Sequence, residues 1–301
     1  MTTEEKIPDY LYHYTTIDNL ALILKNKTIR FNSLDKMDDL QEQESQDFKT
    51  ACKLVFVSSW TDDETESIPM WNMYASLYNG VRIKLKSNPF QVYANKIINT
   101  SDNFIIKSEK INSFNNEDIV QVNGKLKRNL SNKSVYPHSI FSYVCIEEFF
   151  NNNYLIPNFL CCKNLLYKIN YTDDQSKLRP TLKKVNGNSL EFNINELGFS
   201  KNNHWGFQKE WRYIFNVIST DVKAFFEKNE LSSNYYDNIE NDNFISPFEY
   251  YDLKISDKEF ENMEITLSPC LTESKRELLN ALLEKYKVSN IHESVLKNKI
   301  R

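Results

Sequence analysis

Glycine is scarce in this chain, with only five among 301 residues, at positions 80, 124, 187, 198 and 206. No two of them lie close enough to form a Gly-x-Gly-x-x-Gly turn or the phosphate-binding loop of a Walker site. Both motifs need glycine because the backbone must approach a phosphate closely. The sequence therefore excludes a Rossmann fold and a Walker nucleotide site.

Cysteine and histidine are also few. The five cysteines are scattered without Cys-x-x-Cys spacing, which argues against a disulfide scaffold and a structural zinc site. The four histidines include no His-x-x-x-His pair, which excludes a zincin-type site. We therefore expect a reduced, cytoplasmic protein with no bound metal.

Long apolar runs and an excess of basic residues are absent as well. No run approaches the ~20 residues that span a bilayer, and the polar, acidic N-terminus does not resemble a signal peptide, so we expect no membrane partner. The net charge of −4 gives no global basic field, which argues against a general nucleic-acid coat. With 41% hydrophobic and 26% charged residues, the composition is that of a globular protein.

The pattern of apolar residues predicts one α+β domain over residues 1–301, with strands joined by helices and long loops. Leu11 to Thr16 alternates like a short strand, and helical spacing follows from Ile17, with Thr16 as its N-cap. The apolar runs 53–60 and 210–218 are typical of buried strands.

Further along the chain, the spacing predicts a helix over 222–228 and an amphipathic helix around 278–286. Residues 140–146 read as a strand, and residues 173–203 as a loop. Residues from about 100 to 135 are rich in Asn, Ser and Lys with weak periodicity, and we interpret them as a variable polar insertion.

His13 is the first candidate for chemistry, because it lies mid-strand at the junction with the first helix. A neutral imidazole there can donate to a ribose hydroxyl or a carbonyl. The alternative is a buried histidine satisfied by the backbone. Ser58 and Ser59, at the end of the next buried strand, can contact a sugar or orient a carboxylate; ordinary strand-end capping is the alternative.

A second candidate is the pair Gln208 and Glu210, which two-residue spacing places on one face at the start of a strand. A carboxylate beside aromatic residues can polarise a hydroxyl. Arg212 follows on the same alternation as a salt-bridge partner, and a plain strand-edge ion pair is the alternative. Trp71 and Tyr74, at helical spacing, predict core packing or, for Tyr74, stacking on a planar ring.

The acidic stretch from 35 to 44 allows another hypothesis. Its carboxylates could hold Mg²⁺ or Mn²⁺ for phosphoryl chemistry, which would make the protein a metal-dependent phosphodiesterase or nuclease. The alternative is a solvated acidic loop. The residues concerned are Asp35, Asp38, Asp39, Glu42 and Glu44.

Taken in order, several segments resemble a bacterial family known as domain of unknown function 2971 (DUF2971). They are LYHYTTIDNLALIL, MDDLQE, FVSSW, MWNMYA, GVRIKL, WGFQKEWR and EITLSP, and they span Leu11 to Leu296. Two departures from the family pattern stand out. An Asn-Asp-Pro triplet becomes Asp38-Asp39-Leu40, and the first Glu of a Glu-x-Glu pair becomes Gln208.

The same arrangement is similar to the ADP-ribosyltransferase fold, in which split sheets with peripheral helices grip NAD without a glycine-rich loop. The resemblance implies that His13 and Glu210 are catalytic, with Glu210 bound to a ribose hydroxyl and Ser58 orienting Glu210. It also implies that Gln208 and Arg212 position the acceptor. The NAD-binding residues that it implies are His13, Tyr14, Ser58, Ser59, Trp71 and Tyr74.

The expected activity is therefore cleavage of the nicotinamide–ribose bond of NAD and modification of a macromolecule, protein or nucleic acid, in a toxin or an antiviral defence effector. Transfer to water would make the protein an NAD glycohydrolase. The metal-dependent phosphodiesterase stays open as an alternative. So does a non-enzymatic binding module, whose recognition cleft would be formed by Tyr12, Tyr14, Trp71 and Tyr74.

Overall fold

A computed structural model of the chain describes residues 6–99, 104–111, 119–122, 125–128, 139–160, 162–187, 189–228 and 230–301. These residues form a single-domain α+β fold, which confirms the predicted fold class. Among them, no helix combines the length and the apolar character needed to cross a membrane.

The first part of the chain builds the strands and helices that border the candidate site. The Thr16 side chain accepts a hydrogen bond from the Asn19 amide, so the predicted N-cap is confirmed. A π-helical turn, Trp71–Ala75, continues the short helix α2. The elements are β1 (Tyr10–Thr16), α1 (Ile17–Asn26), β2 (Thr28–Ser33), β3 (Val55–Thr61), α2 (Ile68–Met70) and β4 (Gly80–Lys86).

The middle of the chain contains more regular structure than the sequence predicts. Its elements are β5 (Val92–Asn99), β6 (Phe104–Ile111), β7 (Ile119–Val122), β8 (Lys125–Arg128), β9 (Ile140–Ser142), α3 (Glu147–Asn152), β10 (Tyr154–Leu155), β11 (Leu166–Lys168), β12 (Asn170–Tyr171), α4 (Gln175–Leu178), β13 (Lys183–Asn186), β14 (Ser189–Phe192) and β15 (Ser200–Lys201).

The segment interpreted as an insertion contains β6, β7 and β8; residues 107–110 of β6 are exposed, so no alternating apolar pattern marks that strand. Two other interpretations of the middle segment are wrong. The supposed loop 173–203 contains a helix and three strands, and the strand expected over 140–146 ends at Ser142. Residues 100–103, 112–118, 123–124 and 129–135 of the insertion lie outside the described residues.

The last part of the chain adds the remaining strands of the main sheet and four helices. The helix predicted over 222–228 and the C-terminal amphipathic helix are both confirmed. The elements are β16 (Glu210–Asn216), β17 (Ile218–Ser219), α5 (Val222–Lys228), α6 (Ser233–Asn241), β18 (Tyr250–Lys254), α7 (Asp257–Glu261), β19 (Glu264–Leu267), α8 (Glu273–Lys285) and β20 (Asn290–His292).

In the described part of the chain, the main sheet has nine strands. Seven follow the order β11-β16-β3-β1-β4-β19-β20, and β2 and β18 branch from β3. Within this sheet β19 and β20 are parallel, and the other pairs of described strands are antiparallel. Cores cover both faces of β16, one with Tyr213 and Phe215 and the other with Ile214. Because both faces are covered, the strand reads as an almost continuous apolar run.

The edge of β3 that faces away from β16 is shared by two strands. β2 pairs with the start of β3, with Asn32 opposite Val57. β1 pairs with the end of β3, with Tyr12 opposite Thr61. Between these two points, no described strand pairs with this edge of β3. The sheet opens there into a gap, and the candidate site lies in that gap.

Candidate functional site

Two connected cavities occupy the gap beside β3. The inner cavity has a volume of about 110 Å³ and the outer groove a volume of about 470 Å³. The outer groove alone falls within the roughly 300–1,000 Å³ that is usual for small-ligand sites. The two cavities form one cleft, because both are lined by His13, Tyr14, Met37, Asp38, Ser59 and Tyr74.

His13 lies where β1 and β3 separate. Its Nδ1 atom is 2.9 Å from the carbonyl oxygen of Ser59. Because a carbonyl only accepts, Nδ1 carries the proton of this bond. Burial lowers the pKa of His13 and outweighs the opposing effect of that bond, so the ring is neutral near pH 7. The neutral imidazole therefore offers Nε2 to a ligand as an acceptor, and not as the donor that the sequence suggests.

The two serines of β3 lie on opposite faces of the sheet. Ser58 accepts a hydrogen bond of 3.1 Å from the indole of Trp60, on the face that carries Tyr213. Ser59 pairs with Arg212 and lines both cavities. Since opposite residues of paired strands share a face, Ser59 lies on the Glu210 side. Ser58 therefore cannot orient Glu210, and Ser59 is the serine placed to do so.

Below the inner cavity, Glu210 belongs to a cluster of four buried charges, Glu42, Lys201, Glu210 and Arg212, which we name the buried quartet. Arg212 Nε is 2.7 Å from Glu210 Oε1, and Arg212 Nη1 is 2.6 Å from Glu42 Oε2. Lys201 Nζ is 2.9 Å from Glu210 Oε2 and 3.8 Å from Glu42 Oε1. Their side chains are 7% exposed or less, so the charges interact with little solvent between them.

The two carboxylates of the quartet have different acidities. Burial favours the neutral form of Glu210, but the charges of Arg212 and Lys201 outweigh burial and lower its pKa to about 2. For Glu42, burial dominates over the same two cations and raises the pKa. Glu210 is therefore an ionised carboxylate at the cavity wall, and Glu42 is the weaker acid of the two.

Gln208 joins the quartet to Tyr74, which also lines the cleft. Its side-chain carbonyl accepts a bond of 3.1 Å from Lys201, and its amide nitrogen donates to the Tyr74 hydroxyl. Gln208 ends a 3-10 helix, Lys209 has a left-handed backbone and Glu210 begins β16, so the two residues do not alternate along one strand as their spacing predicts. Both nevertheless line the inner cavity. Tyr74 also lines both cavities, and burial raises its pKa to about 12, so its hydroxyl keeps its proton.

Two residues expected at the site support it from behind. Trp71 is fully buried, packs edge-on against Tyr14 at 5.0 Å, and donates through its indole nitrogen to Glu66. It therefore does not reach the cleft. Arg212 has no exposed surface either, and its contacts with Glu210 and Glu42 leave it no access to an acceptor. The expected pairing of Arg212 with Glu210 is confirmed, but its role is to hold that carboxylate.

Sequence reasoning missed two members of the quartet. The sequence suggests Glu42 either as a metal ligand or as part of a solvated acidic loop, whereas the structure shows it buried and paired with Arg212. One sequence signal could have singled out Glu42: it is the glutamate of the MDDLQE segment, one of the segments that resemble the DUF2971 family. Lys201 lies in a polar stretch interpreted as a loop, and nothing in its local sequence marks it.

Asp38, Asp39 and Glu42 of the acidic stretch all line the inner cavity, but the contacts of its carboxylates differ. Asp35 accepts from Ser33, Asp39 caps the Gln41 amide, and Glu42 pairs with Arg212. In the described part of the chain, no group of three or more His, Cys, Asp or Glu side chains is arranged to hold a metal ion. The phosphodiesterase hypothesis on this stretch stays a prediction from the residues.

The outer groove lies between α1 and β2 and carries charges of both signs. Arg30 forms two hydrogen bonds with Asp252, of 2.8 and 2.9 Å, and its guanidinium stacks 3.6 Å from the centre of the Tyr250 ring. Lys36 and Asn19 also line the groove. Asp38 and Asp252 balance the charges of Arg30 and Lys36 in its lining, so the groove is polar but carries no net charge.

A scan of the chain against protein-family models finds no match, and searches of curated proteins and of solved structures find none either. The resemblance to the DUF2971 family and to ADP-ribosyltransferases therefore stays a prediction from the residues.

Proposed function

We propose that this protein cleaves the nicotinamide–ribose bond of NAD and transfers ADP-ribose to a macromolecular acceptor. The observation that carries the proposal is the ionised Glu210 at the wall of the inner cavity, in the same cleft as the neutral His13. The sequence resemblance names the reaction, and the geometry of the cleft is compatible with it.

The chemistry needs little beyond what this cleft contains. The bond from the nicotinamide nitrogen to ribose C1′ breaks, its electron pair leaves with nicotinamide, and positive charge develops on the ribose ring. Glu210 accepts a hydrogen bond from a ribose hydroxyl and stabilises that charge. A nucleophilic atom of the acceptor then bonds to C1′ and loses its proton. With water as the acceptor, the same steps give a glycohydrolase.

The other residues of the cleft have positioning roles in this proposal. His13 Nε2 accepts from a second ribose hydroxyl, and Tyr74 contacts the nicotinamide end at the junction of the two cavities. The outer groove, with Arg30 and Lys36, takes the diphosphate and the adenosine. Such fixed contacts raise the rate because the reacting bond is held in place before it breaks.

The test is nicotinamide release from labelled NAD, with and without a cell lysate, for wild type, Glu210→Gln and Glu44→Gln. We expect Glu210→Gln to lower turnover about 10²–10³-fold, as loss of a group that stabilises transition-state charge does. Glu44 is exposed and paired with Arg179, so its variant serves as the control with unchanged activity.

Label that arrives on a macromolecule identifies a transferase and the class of its acceptor. Release without transfer identifies a glycohydrolase. Absence of release from the folded wild type under both conditions would overturn the proposal and favour a binding module instead.

A further inference from the structure

Each cation of the buried quartet contacts both carboxylates. Arg212 joins Glu210 to Glu42 through Nε and Nη1, at 2.7 and 2.6 Å. Lys201 faces the remaining oxygen of each carboxylate, at 2.9 and 3.8 Å. In the buried quartet, every charge therefore has neighbours of opposite sign, and the four formal charges sum to zero.

This neutrality depends on Glu42. Without it, Glu210 would face two cations alone, and the cluster would carry one net positive charge next to the inner cavity. A net positive charge opposes the positive charge that develops on ribose when the glycosidic bond breaks. At an effective dielectric constant of about 20, a unit charge roughly 6 Å away changes a rate about 100-fold.

Glu42 also has the geometry of a supporting group. It comes from a 3-10 turn, Leu40–Gln43, that is separate from the strands carrying its partners. Its side chain is 1% exposed, and it lies in the wall of the inner cavity together with Glu210. Arg212 Nη1 also donates to the Gly198 carbonyl, so the guanidinium is fixed in place by this turn and by the backbone together.

We propose that Glu42 is a positioning residue that neutralises Arg212 and Lys201, so that Glu210 keeps its effective negative charge toward the reacting ribose. The inference rests on the proposed NAD reaction. It adds a second carboxylate, one that acts through Glu210 and its cations and does not touch the substrate.

The inference also gives the reaction a pH dependence. The charged groups on the elements packed around Glu42 are Arg212 and Glu210 on β16, Lys201 on β15, Asp35 and Lys36 on the turn at 34–36, and Asp39 on its own turn. Burial raises the pKa of Glu42, so it takes up a proton at a higher pH than Glu210 does. Activity is therefore lost on the acid side when Glu42, and not Glu210, becomes neutral.

The experiment compares wild type with Glu42→Gln, Lys201→Gln, the double variant and Glu44→Gln. We expect Glu42→Gln to lower kcat about 10- to 100-fold with little change in NAD affinity. The double variant restores a cluster with no net charge, and we expect it to recover a large part of the kcat that Glu42→Gln loses. The acid limb of the wild-type pH profile disappears in Glu42→Gln, while Glu44→Gln behaves as wild type.

A double variant that is slower than either single variant would overturn the inference, and so would an acid limb that persists in Glu42→Gln. Measurements of thermal stability test the same inference and do not depend on enzymatic activity. Charge neutralisation requires that the double variant be less destabilised than the sum of the two single ones. If wild type does not cleave NAD but the stabilities show this coupling, the proposed function is contradicted and the charge neutralisation by Glu42 is not. If the stability effects of the two substitutions are additive, the charge neutralisation by Glu42 is contradicted.

Discussion

At the scale of single residues, His13 links the two halves of the opened sheet. In a continuous sheet, the Ser59 carbonyl would accept a hydrogen bond from a backbone amide of the neighbouring strand. Here it accepts the bond from the imidazole of His13 instead. In an extended strand the N–H and C=O of one residue point to the same side, so the Ser59 amide also faces the gap. At this point of the cleft, His13 therefore presents an acceptor and the Ser59 backbone presents a donor.

We predict that His13 stays neutral, with its proton on Nδ1, below pH 6.5. Burial lowers its pKa in the folded protein, so the unfolded chain takes up the proton first and folding stability falls as the pH drops below about 6.5. Two-bond proton–nitrogen NMR spectra report the tautomer directly, and His13→Asn identifies the signal. An imidazolium at pH 6.5 would contradict the assignment.

A second prediction concerns Glu210 and acid. Its folded pKa of about 2 lies below its ordinary value of 4.5. Its contribution to stability is therefore complete above pH 4.5 and is lost as the pH falls from 4.5 toward 2. Glu42, with a raised pKa, contributes with the opposite sign. Urea unfolding at about pH 5, 4 and 3 should give a smaller loss of stability for Glu210→Gln than for wild type. An unchanged slope would contradict the low pKa.

At the scale of elements, the π-helical turn Trp71–Ala75 holds Tyr74 in the cleft, and Gly80 allows it to close against β4. A Cβ built at Gly80 would lie 2.1 Å from the Ala75 carbonyl oxygen and 2.5 Å from the Ala75 Cβ. Both contacts are far below normal van der Waals distances. The absence of a side chain at this position therefore fixes how the turn meets the sheet.

We predict that Gly80→Ala destabilises the protein by about 2–3 kcal/mol and displaces Tyr74, because the backbone of the turn must move. Chemical denaturation measures the loss of stability. Gly206→Ala is the matched control, since a Cβ there has no heavy atom within 4 Å, and its effect should stay within about 0.5 kcal/mol. Equal effects of the two substitutions would contradict the steric explanation.

The elements that the sequence predicts well are those with local signals. Helix α1 has its N-cap and its apolar spacing within ten residues, and β3 and β16 are apolar runs. The hairpin of β13 and β14 gives a weaker signal, because Val185 is exposed and so are Lys184 and Glu191, which pair across the two strands. Elements defined mainly by backbone pairing are therefore the ones that the sequence pattern misses.

The same limit applies to the site. His13, Ser59 and Glu210 were predictable because each lies in or beside a strand that its pattern marks. Glu42 bonds to Arg212 across 170 positions of sequence, and Lys201 reaches Glu210 from a polar stretch. Such contacts depend on the folded arrangement of the whole chain, so a single sequence read locally does not contain them.

At the scale of the whole molecule, a buried carboxylate fastens the C-terminal segment to the core beside the cleft. Glu66 accepts from the Trp71 indole and the Val295 amide, both at 2.9 Å, and from the Ser294 hydroxyl. Leu296 packs on the cluster that contains Tyr14 and Trp71. The end of the chain is therefore coupled to the helix that carries Tyr74.

We predict that Glu66→Ala destabilises the protein by about 2–3 kcal/mol, because it leaves buried donors without an acceptor. Backbone amides at 294–296 should then exchange with deuterated solvent faster than in wild type. The exposed Glu64 offers the control, and Glu64→Ala should leave that exchange unchanged. Protection that survives in Glu66→Ala would show that other contacts hold the segment.

The contrast between the buried quartet and the outer groove has a consequence for ionic strength. Salt screens exposed charges over a Debye length of about 8 Å at physiological concentration, but it hardly reaches charges sealed from solvent. Lys36 is exposed and Arg30 partly so, whereas the quartet is enclosed. In the proposed reaction, added salt should therefore raise KM for NAD and leave kcat nearly constant.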